Sequence, residues 1–268
     1  MLTKAEPFAY GHAVPMSLLF DMRLRLGVGV LILGLAVVVA VLVFSVFNGN
    51  DGGDDPTATG TPIDPELQAL LESMVLSSED LPAGLQRVGL LFSTNEDIVE
   101  SAPDPEAELA ELERLGRRLG IDANFAPTGA VPEDFPVRGG IQNTVSLYTA
   151  PEGASESFQE GVDGARQTDW PSLYPDLRTV VADEVDRRLG DQSVWFRITG
   201  VDDSGQFIVD DQVAFRVGPA RSFLRVVTAF DEGAGGDVYL NEVEGWARLV
   251  VDRIERELGL SARGESEG

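Results

Sequence analysis

Apolar residues follow three different rhythms along this chain. The first is an unbroken block, LGVGVLILGLAVVVAVLVFSVF, uncharged from Leu26 to Phe47. As a helix rising about 1.5 Å per residue it reaches about 33 Å, enough to cross a hydrocarbon core of roughly 30 Å. The second rhythm has helical spacing. Asp64-Pro65-Glu66 opens one such segment, with Leu67, Leu70, Leu71 and Met74 on one face, and Ser77 to Gly84 turns the chain away. Asp104-Pro105-Glu106 repeats the start signal: a capping carboxylate, a proline preset for the first turn and an acid at the positive dipole end. Leu109, Leu112, Leu115 and Leu119 follow it, Gly120 reads as the cap, and Glu113 stands four before Arg117 as a surface pair. A less regular helix spans 151–166, with Ala154, Phe158, Val162 and Ala165 on one face. The clearest helix runs over about 237–258, where Leu240, Val243, Ala247, Val250, Ile254 and Leu258 form a stripe opposite Glu244, Arg248, Asp252 and Arg256. Gly259 stops it.

The third rhythm is alternation, the mark of strands. It predicts them over 85–93, 137–149, 177–185, 193–199, 206–217 and 222–230, with a short strand and loop over 122–133. Short polar turns such as Asp202-Asp203-Ser204-Gly205 join the later ones as hairpins. Phe223, Leu224, Val226 and Val227 are apolar on both faces, which predicts a central strand covered on both sides. The fold class expected is α+β: one N-terminal transmembrane helix, then an antiparallel sheet of about five or six strands with flanking helices, the last packed on one face.

The flanks of the apolar block set its direction. Arg23 and Arg25 precede it, Asp51, Asp54 and Asp55 follow it, and the first basic residue beyond is Arg87. The positive-inside rule then places the N-terminus in the cytoplasm and the bulk of the chain outside. A cleaved signal peptide is the other reading, but its apolar region is about 7–15 residues and ends at a small-x-small site. Here the block is longer and ends Ser45-Val46-Phe47. The expected organisation is a cytoplasmic arm over 1–25, a membrane helix over 26–47, a flexible Gly/Asp/Thr/Pro linker over 48–62, a domain over 63–260 and a disordered tail over 261–268. Met22-Arg23-Leu24-Arg25 also looks like a protein start, in which case the first 21 residues are not translated.

Charge narrows the partners. The chain has 20 Lys+Arg and 45 Asp+Glu, a net charge of −25. Three basic and two acidic residues precede residue 48, so 17 and 43 lie beyond it. Such a surface repels nucleic acid and anionic headgroups and suits cations, basic partners or salt. The chain has no cysteine, so neither disulfides nor a processed lipid-bearing cysteine contribute. Lys4 and His12 both precede the apolar block. The outer part therefore lacks the residues for Ser-His-Asp or Cys-His catalysis, the usual zinc sites, P-loop lysines and Schiff bases. No cofactor and no metal is expected.

Two segments carry a resemblance. Asp80-Leu-Pro-Ala-Gly84 and Leu189-Gly-Asp-Gln-Ser-Val-Trp-Phe-Arg197, followed by Val213-Ala-Phe-Arg-Val-Gly218, resemble anchored extracytoplasmic bacterial domains. These are the PsbP/Mog1-like envelope lipoproteins and the outer sensor domains of receptor-type Ser/Thr kinases. The resemblance implies a curved antiparallel sheet with helices and supplies no catalytic residue. This chain departs from those relatives in lacking both the lipid-bearing cysteine and paired cysteines.

Candidate chemistry is sparse. Carboxylates alone hydrolyse glycosides, but Asp202/Asp203 reads as a solvated turn. In Asp210/Asp211, adjacent strand residues point to opposite faces; one carboxylate is expected outward and one in a hydrogen bond. The loop 167–176, QTDWPSLYPD, offers Trp170 and Tyr174 outside any periodic run. They are the ligand-binding candidates, with a lid over a sheet edge as the other reading; Trp195 and Trp246 read as core. The function expected is a membrane-anchored extracytoplasmic envelope protein that binds a ligand or partner without catalysis. Its partners would be the lipid bilayer, through Leu26 to Phe47, and an extracytoplasmic ligand or protein, with no nucleic acid. Two alternatives are a carboxylate-based hydrolase of envelope glycans and a signalling subunit using its cytoplasmic arm. A C-terminal reporter active only outside the membrane should be active in this chain; activity solely from a cytoplasm-dependent reporter would refute the topology.

Overall fold

Asp64 starts the first helix as its spacing predicts: its side chain accepts from the Glu66 N–H at 2.9 Å, with Pro65 in the first turn. The computed structural model describes residues 63–128, 137–230 and 239–260. Helix α1 (Pro65–Met74) buries Leu71 and Met74, and a 3-10 turn (Ser78–Asp80) leads into strand β1 (Leu85–Ser93). Helices α2 (Asn95–Val99) and α3 (Pro105–Arg114) precede β2 (Arg117–Pro127) and β3 (Val137–Tyr148). Helix α4 (Pro151–Arg166) and the short α5 (Trp170–Leu173) come next. Strands β4 (Arg178–Glu184), β5 (Gln192–Val201), β6 (Phe207–Val217) and β7 (Ala220–Phe230) follow, and α6 (Leu240–Glu257) closes the described chain.

The architecture is α+β, with one sheet of seven strands in the order β1-β2-β3-β7-β6-β5-β4 and every neighbouring pair antiparallel. The expectation of about five or six strands is corrected by β2. Leu119 fits a helical spacing with Leu109, Leu112 and Leu115, yet the helix ends at Arg114. Gly116, at φ +72°, turns the chain, and Leu119 is buried in β2 instead of on a helix. Arg117 is accordingly no surface partner of Glu113. It is buried, and its guanidinium bonds Ser93 and Asn95.

Alternation sorts the sheet into two faces. On one, Leu119, Ile121 and Phe125 of β2, Val145 and Leu147 of β3, Leu224 and Val226 of β7, Val213 and Phe215 of β6 and Trp195 of β5 form the main core. Helices α1 and α6 cover this face. Helix α6 presents Val243, Trp246, Ala247, Val250, Val251 and Ile254 to it, while Glu244 and Arg248 pair on the outer side. Two polar ties hold the layer together. Buried Asn143 accepts from the Leu76 N–H at 2.9 Å, and Arg253 of α6 bonds the Val75 carbonyl and, at 2.7 Å, Asp80. Each satisfies a backbone or charged group that burial would otherwise leave costly.

On the opposite face, α4 packs Phe158 and Val162 against Val194, Phe196 and Ile198 of β5. Gly153 allows this helix to start where it does: a Cβ there would lie 1.8 Å from the Leu115 carbonyl oxygen. Among the described residues no helix is long and apolar enough to cross a membrane. The 26–47 block, the arm, the linker and the tail lie outside the described residues.

Val250 is fully buried in the α6 stripe. Val250→Glu should therefore destabilise the domain by about 3 kcal/mol or more, because it buries an unpaired carboxylate. Urea unfolding followed by Trp fluorescence measures this, and an unchanged midpoint would remove α6 from the core.

Candidate functional site

Helices α4 and α5 cover only part of their face. Over β5 and β6 the cover is dense: the Trp170 ring lies 5.8 Å from that of Phe196, and Tyr174 packs on the same apolar cluster. The Tyr174 hydroxyl donates to Asp210 Oδ2 at 2.6 Å and accepts from Gln212 Nε2 at 3.1 Å. Burial, then the charge of Asp210, holds its proton well above the usual phenol range. The two aromatic candidates are thus brought together as the anchors of the 167–176 loop. Both are half-buried: Tyr174 borders the open part of the face through Gln212 and Asp210, and Trp170 backs it on the β4–β5 side.

Over β1, β2, β3 and β7 that face is uncovered by any described helix along two cross-strand rows. In the first, Leu91 stands opposite Asp122, Asp122 opposite Thr144, and Thr144 opposite Phe223. In the second, Gly89, Asn124, Gln142, Arg225 and Gln212 follow one another across the sheet. Phe223 and Val227 are half-buried and belong to none of the apolar core clusters; neither do Leu91 and Val88, which are 50% and 48% exposed. The central strand β7 is therefore fully covered on one side only. Apolar residues on both faces predict double coverage, and the structure corrects that to one core face and one half-open face.

The open rows end in a shallow depression, continuous with solvent and lined by Asn124, Gln142, Arg225 and Val227 over Gly139 and Gly140. The glycines shape its floor. Gly140 sits at φ +94°, where a side chain would be strained, and a Cβ there would lie 2.5 Å from the Phe125 carbonyl oxygen. A Cβ on Gly139 would lie 2.7 Å from that of Val227. Both belong to the bulge where the β3–β7 register shifts.

Arg225 is fixed from beneath. Its Nε donates to both oxygens of Asp210 at 3.0 Å and its Nη2 to Oδ2 at 2.6 Å. Asp210 is 1% exposed and holds Tyr174 as well. Asp211 points to the other face, where Arg197 Nε and Nη2 donate to it at 2.9 Å each and Trp195 Nε1 at 2.7 Å. The expectation of one outward and one bonded carboxylate is corrected: both are buried, because each face supplies an arginine from a neighbouring strand. Asp202 does form the expected turn, accepting from Ser204 and Gln206, and the Ser204 hydroxyl bond lowers its carboxyl from the usual range.

The open surface thus offers one guanidinium held in place, two side-chain amides, a hydroxyl at Thr144 and an aromatic ring. Asp122 is engaged by Thr144 and by Gln142 at 3.1 Å. No group of three potential metal ligands occurs among the described residues. Sequence reading points to Trp170 and Tyr174 and misses Asn124, Gln142, Phe223 and Arg225. The available signal is Arg221-x-Phe223-x-Arg225, which puts two cations and a ring on one face of a strand otherwise rich in apolar residues.

No protein-family model and no curated protein sequence matches this chain. Among solved structures, it is similar to the extracellular domain of PknH from Mycobacterium tuberculosis, at 10% identity over 73% of this chain and 98% of that one, with a TM-score of 0.45. It is also similar to a point mutant of the protein Mog1, at 12% identity over 52% of this chain and 74% of that one, with a TM-score of 0.24. Both kinds of structure to which the sequence motifs point are among the similar ones.

Asp210→Ala strips the partner from a half-buried guanidinium and from a half-buried phenol. It should cost about 3–5 kcal/mol, against less than about 1 kcal/mol for Asp203→Ala in the exposed turn. Paired denaturant titrations measure the difference; equal midpoints would show that Asp210 does not hold this face together.

Proposed function

We propose that this chain is a membrane-anchored, non-catalytic envelope protein. Its outer domain binds a ligand or partner on the uncovered half of the sheet. One observation carries the reading: Phe223, Val227 and Leu91 share a face with Arg225, Gln142 and Asn124, and none of the three joins an apolar core cluster. Apolar surface left beside fixed polar groups in a concave region is the usual makeup of a recognition site. The Leu26–Phe47 block and its charge asymmetry supply the anchor and the outward orientation. Trp170 backs this surface and Tyr174 borders it: Tyr174, through Asp210, fixes the guanidinium that a ligand would meet.

The composition beyond residue 47 supports the absence of catalysis, since it contains no His, Cys or Lys. The carboxylates nearest the open rows, Asp122 and Asp210, both serve as hydrogen-bond acceptors within the fold. A glycosidase needs one carboxyl that delivers a proton and a second beside it. The residues present fit recognition better than that chemistry.

A photoreactive phenylalanine analogue at position 223 in the full-length protein, irradiated in living cells, should form covalent adducts. The same analogue at Asp252, on the outer side of α6, should not. Adduct formation at 223 should fall when Arg225 is also changed to Glu. No adduct at 223, or equal adducts at both positions, would refute a binding surface there.

A further inference from the structure

Beyond Phe223, towards α2 and α4, lies a cluster that the open rows do not explain. Ser93, Gly120, Ser146 and Arg221 stand opposite one another across β1, β2, β3 and β7. Arg117 folds its guanidinium over Gly120. Its Nη1 donates to the Ser93 carbonyl at 3.1 Å and Asn95 Oδ1 at 3.0 Å, and its Nη2 to Ser93 Oγ at 2.9 Å. Arg221 Nη1 donates to the carbonyl and hydroxyl of Ser157 on α4, at 3.1 and 2.9 Å, and that hydroxyl also meets the Tyr148 phenol at 2.7 Å. Arg221 Nε and Nη2 and the Ser146 hydroxyl have no hydrogen-bond partner among the described residues.

Neither arginine forms a direct ion pair with a carboxylate among the described residues. This is unusual in a chain with 45 acidic residues, whose other buried guanidiniums, Arg197 and Arg225, are each held by one. The carboxylates nearest the pair are committed or out of reach. Asp97 caps α2 through Thr94 and Asp122 serves Thr144 and Gln142, both attracting Arg117 only from beyond ion-pair distance, and exposed Glu160 likewise attracts Arg221 without a direct ion pair among the described residues. Burial pushes the Arg117 guanidinium down to about 10, and the charge of Arg221 adds to the depression. Two glycines make the arrangement fit. A Cβ on Gly120 would lie 2.3 Å from Arg117 Nη2, and a Cβ on Gly161 would lie 2.5 Å from Arg221 Nη2. Arg117 and Arg221, each hydrogen-bonded only to neutral groups among the described residues, offer a preorganised fork for an oxyanion.

We propose that Arg117 and Arg221, with the hydroxyls of Ser93 and Ser146, bind the oxyanion end of a ligand, a carboxylate or phosphate ester, whose apolar part lies along Phe223 towards Arg225. This deepens the reading of the open half-face as a binding surface. It also sets a length, since Arg221 and Arg225 are separated by about 13 Å of strand at about 3.3 Å per residue.

Calorimetric titration of the full-length protein in a neutral detergent tests this, with ionic strength held constant by sodium chloride. The probes are phenyl phosphate, benzoate, inorganic phosphate and, without charge, benzyl alcohol. Phenyl phosphate or benzoate should bind, and Arg221→Met should weaken that binding at least tenfold while sparing benzyl alcohol. Arg117→Lys, which keeps the charge but loses the fork, should weaken it by less. Phe223→Ala should weaken the ring-bearing anions and not inorganic phosphate. Tighter binding of phenyl phosphate assigns a phosphate ester, and tighter binding of benzoate a carboxylate. No heat from any anion, or equal affinities in wild type and Arg221→Met, overturns the anion site. In that event retained benzyl alcohol binding leaves the open half-face standing, and its absence removes both.

Discussion

Asp210 and Asp211 are neighbours in sequence, yet they are buried on opposite sides of one sheet. The alternation of β6 sends them apart, and each meets an arginine from an adjacent strand: Arg225 of β7 for the first, Arg197 of β5 for the second. Both ion pairs therefore depend on the registers of β5, β6 and β7 being simultaneously right. A one-residue slip of β6 would send each carboxylate to the wrong face and leave three buried charges and the half-buried Arg225 without partners. Packing alone does not discriminate so sharply here, because β6 and β7 carry apolar residues on both faces. The paired charges make the register unique, and everything seated on these strands, including the fixed guanidinium of Arg225, inherits that.

The two faces of the sheet then differ in kind. Helices α1 and α6 close the first face over β2, β3, β7 and β6 with aliphatic and aromatic side chains. On the second, α5 lies by β4, α4 lies over β5 and β6 and reaches only one end of β7 and β3, and polar residues of β2 and β3 continue the surface beyond them. Asn124, Gln142 and Thr144 let that half-face meet water without opening the sheet, while Gly139 and Gly140 keep its floor low. Coverage on one side and hydration on the other is a stable state for an antiparallel sheet. Phe223, lying in the hydrated part without belonging to a core, is what gives the surface something to recognise.

Much of this was legible from local pattern. Strand β1 and helix α4 begin and end where alternation and spacing place them, and the α6 stripe packs as its period requires. What failed was local pattern that two structures share. Leu119 continues a leucine spacing across Gly116, and only the turn at that glycine, set by tertiary pairing with β1 and β3, makes it a strand residue. The site was harder to read. Asn124, Gln142 and Arg225 are far apart in the chain and meet only through cross-strand register, which no single segment encodes. Trp170 and Tyr174 stand out in sequence because nothing periodic claims them, and the reason is now physical: they pack through a loop, against β5 and the carboxylate of Asp210.

The order of strands also bears on how the chain reaches this state. β7 lies between β3 and β6, so the last strand to be synthesised joins the first three to the rest. Until residue 220 and beyond are available, β3 has a bare edge where β7 will pair, and α4 has only part of its floor. The β1–β2–β3 and β5–β6–β7 groups form between strands near in sequence, but their union waits for β7 to meet β3. Such long-range closure slows folding and prolongs exposure of an unpaired edge. The interior glycines and half-polar rows of β3, useful in the finished surface, also make that waiting edge a poor template for association with other chains.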